Sequence, residues 1–268
     1  MSENTMENSQ AEPQEESREQ GMSFMSHLEE LRTCLVRAVI AIMIGFLGAY
    51  AFKEKIYAFL TEPLVAALPA TGKLIYTAPA EAFFTYLKVA LLAGVVAASP
   101  VVFYQFWRFV SPGLYKHERR LIWPYVVFSS VLFIVGAVFC YTVVFPYAFT
   151  FFMSFATEEI VPMVSLKQYL SFSGTLLFAF GAVFQMPLVL IFLGRLGIVN
   201  NKMLRQKRKY AVLIMFLAAA FFTPPDVVSQ IMMALPLLIL YEISIWLVAA
   251  SEKKKAEKQA EEEAEFES

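Results

Sequence analysis

The chain has 268 residues, of which 58% are hydrophobic, 15% aromatic and only 17% charged, and its mean hydropathy is +0.58. Charge this sparse and apolar content this high exclude an ordinary soluble domain and predict an all-α polytopic membrane protein. The formal net charge of −1 averages acidic tails against basic loops, and two cysteines and two histidines without clustering argue against a disulfide framework or a metal centre.

Residues 1–22 are polar and acid-rich with no periodic apolar face, which predicts a disordered tail. A cleaved leader carries its basic start directly before its apolar core; here about thirty polar residues come first, so the first span is expected to be retained. Ser26 followed by Glu29 reads as a capping box. Phe24, Leu28, Leu31 and Leu35 repeat at helical spacing, which predicts a short amphipathic surface helix leading into the first span. The spacing does not say which way Glu30 points.

Residues 23–250 form the expected membrane domain, with six spans at about 34–52, 84–108, 121–145, 170–193, 210–222 and 230–250. Pro100, Pro187 and Pro236 lie inside the second, fourth and sixth, where kinks are tolerated if the freed carbonyls find other donors. The fifth is short, reaching about 20 Å against a hydrocarbon core of about 30 Å. Residues 251–268 are a basic stop followed by an acidic segment, expected to be a disordered cytoplasmic tail.

Lysine and arginine set the orientation. Arg18, Arg32, Arg108, Lys116, Arg119, Arg120, Arg195, Lys202, Arg205, Lys207, Arg208, Lys209, Lys253, Lys254, Lys255 and Lys258 fall on one side. Only Lys53, Lys55, Lys73 and Lys167 fall on the other. The positive-inside rule then puts both termini in the cytoplasm. The outer connections differ in kind. Residues 53–83 carry Pro63, Pro69 and Pro79 in a half-apolar sequence that predicts a folded cap. The stretch from Pro146 to Tyr169 is similarly aromatic, and the last outer turn is a rigid Thr223-Pro224-Pro225-Asp226.

The stretch 103–120, FYQFWRFVSPGLYKHERR, passes from an aromatic belt through a Ser-Pro-Gly break into charge. That is how a span meets the cytoplasmic interface. Its one carboxylate, Glu118, sits between His117 and Arg119-Arg120. No catalytic constellation and no phosphate-binding glycine loop is present, so any energy input has to come from a partner or the membrane potential. Intramembrane polar groups are the remaining candidates, namely Glu242 in the sixth span and Gln185 two residues before Pro187. Arg37 and Lys88 lie near helix ends and can snorkel.

Four motifs stand in a familiar order: HLEELR before the first span, FWRFVSPGLYKHERR after the second, FGAVFQMP in the fourth and TPPDVVSQ after the fifth. Together they resemble the TatC family, the receptor subunits of twin-arginine translocases, over about residues 24–250. The resemblance implies a cup-shaped six-helix protein with both termini inside, seated in the bacterial inner membrane. It implies recognition of twin-arginine signal peptides and export of folded proteins by the proton-motive force. The implied partners are those peptides, TatA/TatB-type single-span subunits, membrane lipid and further copies of the chain; nucleic acid, cofactor, metal and enzymatic activity are not implied. Glu30 and Glu118 match the family's signal-peptide carboxylates. Phe109, Pro112, Leu114, Tyr115 and Arg119 match the first cytoplasmic loop, and Thr223, Pro225 and Asp226 match the outer turn. Gln185 departs from the glutamate that many members carry. An amide there can still bond a polar residue of a partner helix, and Glu242 is the other intramembrane contact expected.

Two other classes compete. A proton-coupled secondary transporter would use Glu242 and the proline-broken fourth and sixth spans, but such folds show repeated halves and none is visible here. An assembly scaffold would bind partner helices without reading cargo. The topology is testable: single cysteines replacing Lys73 and Ser111 should label from opposite faces of the membrane, and labelling of both from one face would sink the six-span arrangement.

Overall fold

Backbone polar groups in hydrocarbon have to be satisfied within their own segment, so the apolar runs are helical. The computed structural model describes residues 8–69, 72–110, 122–157, 159–222 and 227–267. From the N-terminus these form α1 (Asn8–Tyr50), α2 (Lys53–Ala67), β1 (Lys73–Ile75) and α3 (Glu81–Val110). There follow α4 (Ile122–Phe139), a π turn (Cys140–Val144), α5 (Phe145–Met153) and β2 (Met163–Ser165). The chain continues with α6 (Leu166–Val183), α7 (Met186–Arg195), α8 (Asn201–Gln206), α9 (Arg208–Phe222) and α10 (Val227–Glu267).

Among the described residues, five stretches are long and apolar enough to cross a membrane: Met25–Tyr50, Glu81–Val110, Trp123–Met153, Leu166–Arg195 and Gln230–Lys254. The sixth, α9, has 15 residues and reaches only about 22 Å. The six-span architecture is therefore as expected, the short fifth span included. To the all-α plan the structure adds one small parallel ladder, pairing Lys73 with Met163, Leu74 with Val164 and Ile75 with Ser165.

Several boundaries differ from the sequence reading. No separate surface helix opens at Ser26; α1 is one helix of 43 residues, helical where disorder was expected from its acidic composition. Likewise α10 continues through residues 251–267. Glu, Gln, Lys and Ala are strong helix formers, and a helix already nucleated in a span extends outward without a second nucleation cost. The third span does not end at residue 145 but passes Pro146 to Met153. The wider π turn just before it, closed by the Phe145 N–H on the Cys140 carbonyl, lets the helix take up a residue with no donor. The fourth span is two helices, broken at Phe184-Gln185 ahead of Pro187.

Two of the interior prolines, Pro63 and Pro100, have the carbonyls they free accounted for. Pro63 removes the donor for Phe59 O, and Tyr141 Oη supplies it from the third span at 2.8 Å. Pro100 frees Val96 O, which accepts from Ser99 Oγ within the same helix at 2.8 Å. The Tyr141 bond, with the Phe59–Tyr141 ring stack at 4.3 Å, fastens the outer helix α2 onto the membrane domain.

Glu81 closes the outer cap. Its Oε2 accepts from Thr77 N at 2.8 Å and from Thr77 Oγ1 and Ala78 N, and its Oε1 accepts from Lys167 N at 2.8 Å and from Ser165 Oγ. One carboxylate thus joins the entry of α3 to the entry of α6, beside the β1–β2 ladder.

On the inner side, α1 and α3 run antiparallel and meet backbone to backbone. A Cβ added to Gly94 would lie 2.5 Å from Phe46 N, and one added to Gly45 would lie 2.6 Å from Gly94 O. Small residues are what allow helices in lipid to approach this closely. Gly94→Ala should therefore force the pair apart and cost about 1–3 kcal/mol, read as a lower thermal midpoint in detergent. Gly48→Ala, where nothing lies within 4 Å, should leave the midpoint unchanged.

Candidate functional site

The α1–α3 register carries from the glycines to the cytoplasmic ends. Gly45 faces Gly94. Moving fifteen residues inward along each helix, about 22 Å, brings α1 to Glu30 and α3 to Phe109. One turn further out on α1, the His27 ring stacks on Phe109 with centroids 4.5 Å apart and 18° between planes. Glu30 shares the α1 stripe of Cys34, Ala38, Ala41, Gly45 and Ala49, residues withdrawn from the surface at helical spacing, whereas Leu31, Leu35 and Val39 are exposed. Glu30 thus points along the α3-facing side of α1, which its sequence context left open. The HLEELR and FWRFV motifs, at residues 27–32 and 106–110, form one surface.

The end of α3 is held by a buried aromatic cluster. Trp107 is 4% exposed, packs on Tyr125 and Phe192 at 4.7 and 5.1 Å, and donates Nε1–H to Ser129 Oγ at 2.7 Å. Arg195 lies over the Tyr125 ring, at 5.6 Å. An anchored indole with its one donor satisfied fixes where α3 ends and where the following loop departs. From sequence Trp107 was one belt aromatic among five; burial sets it apart.

Gln185 stands at the break between α6 and α7. Its backbone N–H bonds Ala182 O rather than Gly181 O, and its side-chain Nε2 donates to Gly181 O at 3.4 Å and to Ser129 O at 3.0 Å. Ser129 therefore receives Trp107 at its hydroxyl and Gln185 at its carbonyl. The Gln185 amide nitrogen is committed inside the chain, which leaves the Oε1 acceptor for any outside contact. Glu242, an intramembrane carboxylate whose pairing the sequence left open, forms an ion pair with Arg208 at the start of α9 at 2.7 Å. Gln230 Nε2 bonds Phe216 O at 3.0 Å, so α9 and α10 are tied at two levels. Glu118, Pro112, Leu114, Tyr115 and Arg119, with Thr223, Pro225 and Asp226, lie outside the described residues.

The model of the family described as Sec-independent protein translocase protein (TatC) matches residues 26–236. The chain belongs to the TatC family. It is 54% identical over 240 residues to the Sec-independent protein translocase protein TatC of Desulforapulum autotrophicum, covering 89% of each chain. The TatC of Magnetococcus marinus is 44% identical over 248 residues, 92% of each chain. A crystal structure of the twin-arginine translocase receptor TatC superposes with a TM-score of 0.76 at 40% identity, over 84% of this chain and 99% of that one. This TatC-family chain is accordingly a multi-pass inner-membrane component of a protein translocase, with the six-span cup of its neighbours. The secondary-transporter reading finds no support in them.

The Ser129 junction is open to test. Gln185→Leu removes both side-chain bonds and should cost about 0.6–2 kcal/mol of stability, in the range of interhelical hydrogen bonds in membranes. Gln185→Glu should be harder to accommodate than its similar shape suggests, since a carboxylate oxygen would face Ser129 O. Thermal midpoints of the two variants check this, and equal stability of the glutamate variant and wild type would contradict the assigned donor.

Proposed function

We propose that this chain is the cargo receptor of a twin-arginine translocase, and that the cytoplasmic junction of α1 and α3 holds the arginine pair. The observation that carries the reading is the α1–α3 register, in which His27, one turn from Glu30, stacks on Phe109. Two adjacent guanidinium groups present planar donor forks, and two carboxylates accept them bidentately in a way that lysine cannot reproduce. Glu30 supplies one acceptor, and Glu118, nine residues of chain beyond Phe109, supplies the other. Phe109, Pro112, Leu114 and Tyr115 are the other residues of the signal-peptide site in this reading. Arg119 and Arg120 neighbour Glu118 and compete for it, so they are expected to turn toward lipid headgroups.

In this reading the chain catalyses no covalent step and needs no cofactor. It selects cargo, and TatA/TatB-type single-span subunits assemble on it, with further copies of the chain, to move folded proteins at the expense of the proton-motive force. The short α9, tied to α10 through Arg208–Glu242 and Gln230, suits a partner-docking edge, because a helix that under-spans the bilayer leaves mismatch that a neighbour relieves. The Oε1 of Gln185 is the acceptor offered to a polar group on such a helix.

Peptide affinity in detergent tests the receptor reading. Glu118→Lys should abolish binding of a twin-arginine peptide while leaving insertion intact, since it adds to the inside-positive charge. Glu118→Gln and Glu30→Gln should each weaken binding by roughly ten- to a hundredfold, the span of about 1.5–3 kcal/mol for a charged hydrogen bond. A twin-lysine peptide should bind poorly to all forms. Wild-type affinity in Glu118→Lys would overturn the site.

A further inference from the structure

A cavity of about 440 Å³ opens between α3 and α6 in the outer half of the protein. Its walls follow the same spacing on both helices. From α3 come Lys88, Leu92 and Val95; from α6 come Ser171, Thr175 and Phe178. The helices run in the same direction, because Glu81 joins their entries, so Lys88 and Ser171 share the outer level and Val95 and Phe178 the inner one. Lys88 Nζ donates to Ser171 Oγ at 2.9 Å. Among the described residues no carboxylate lies within ion-pair distance of Lys88. The cavity is thus polar and cationic at one end and hydrocarbon-lined along the rest.

We propose that this groove binds a phospholipid of the outer leaflet, with its phosphate on Lys88 and Ser171 and one acyl chain between α3 and α6. Depth supports the assignment. The 30 residues of α3 extend about 45 Å, some 15 Å more than the hydrocarbon core. Centred in the bilayer, α3 leaves about 7 Å outside at each end, and Lys88 lies about 10 Å in from Glu81, just below the boundary. A lysine there reaches outward to the phosphate layer. A partner helix would have to bring its own acid to that depth, whereas every phospholipid already carries an anion there. A hydroxyl and an ammonium converging on one point also fit a phosphate oxygen better than they fit each other alone. Gly174 keeps the groove open: a Cβ there would meet only the Leu92 methyls, at 3.9 Å.

Photolabelling tests the proposal. The full chain is reconstituted in nanodiscs containing phosphatidylglycerol with a diazirine on one acyl chain, and adducts are mapped by mass spectrometry. Wild type should carry adducts on residues 88–95 and 171–178. Gly174→Leu, which grows a side chain into the groove without meeting backbone, should reduce them at least tenfold. Lys88→Gln, at an exposed position, should reduce them about tenfold. Twin-arginine peptide affinity, read in parallel, should not change in either variant. Three results would overturn the assignment: no adducts on these segments in wild type, undiminished adducts in Lys88→Gln, or loss of labelling to excess inorganic phosphate, which would make it a free-anion site. Gly174→Leu losing a co-purifying single-span helix while keeping its lipid adducts would give the groove to a protein partner instead.

Discussion

The contact between Gly45 and Gly94 is the constraint on which the proposed recognition surface depends. With no side chain between the two backbones, α1 has one rotation and one register against α3. That register sets Glu30 one turn from the His27–Phe109 stack, about 22 Å away at the cytoplasmic end. A bulkier pair would leave both helices intact and still misplace the carboxylate. Position here comes from contact in mid-membrane, and chemistry comes from the interface.

The other end of α3 is fixed by different means. Glu81 and the three-residue ladder fasten it to α6, while Pro63 makes room for Tyr141 to fasten α2 to the third span. A carboxylate taking five donors, four of them from turns and helix starts, replaces a larger cap with one side chain. Since α3 is gripped at its entry by Glu81, at its middle by Gly45 and at its exit by Trp107, it is the mast against which α1, α4 and α6 are set. The groove beside Lys88 lies where α3 and α6 are held together above and diverge below the cap.

Much of this was legible in the sequence because hydrophobic length and charge asymmetry are summed over many residues. Six spans, the short fifth and the folded outer connections needed no tertiary information. The motifs naming Glu30, Phe109 and Gln185 were local as well. What the sequence could not show were pairings between distant residues. Glu81 looked like one more loop acid, Trp107 like one more belt aromatic, and Gly45 and Gly94 like ordinary apolar-run glycines, because their roles lie in what they meet. The signals present were faint: an acid at a helix start facing a later Ser165-Leu-Lys turn, and an interfacial tryptophan at a spacing that turns it inward. The partner of Glu242 was not legible because Arg208, 34 residues earlier, reads in sequence as part of a solvated basic loop. The helical stretches at both ends were missed for another reason. A composition too polar for a core argues against packing, and it does not argue against a helix that simply continues from a span.

The central claim is that α1 and α3 together form the seat of the arginine pair. A twin-arginine peptide carrying a photoreactive residue beside that pair, crosslinked to the full chain in nanodiscs and mapped by mass spectrometry, tests it most directly. The account predicts adducts on both helix ends, around Glu30 and around Phe109, each suppressed by excess unlabelled twin-arginine peptide and not by its twin-lysine form. Adducts confined to one of the two helices, or falling on α9 and α10 instead, would contradict it.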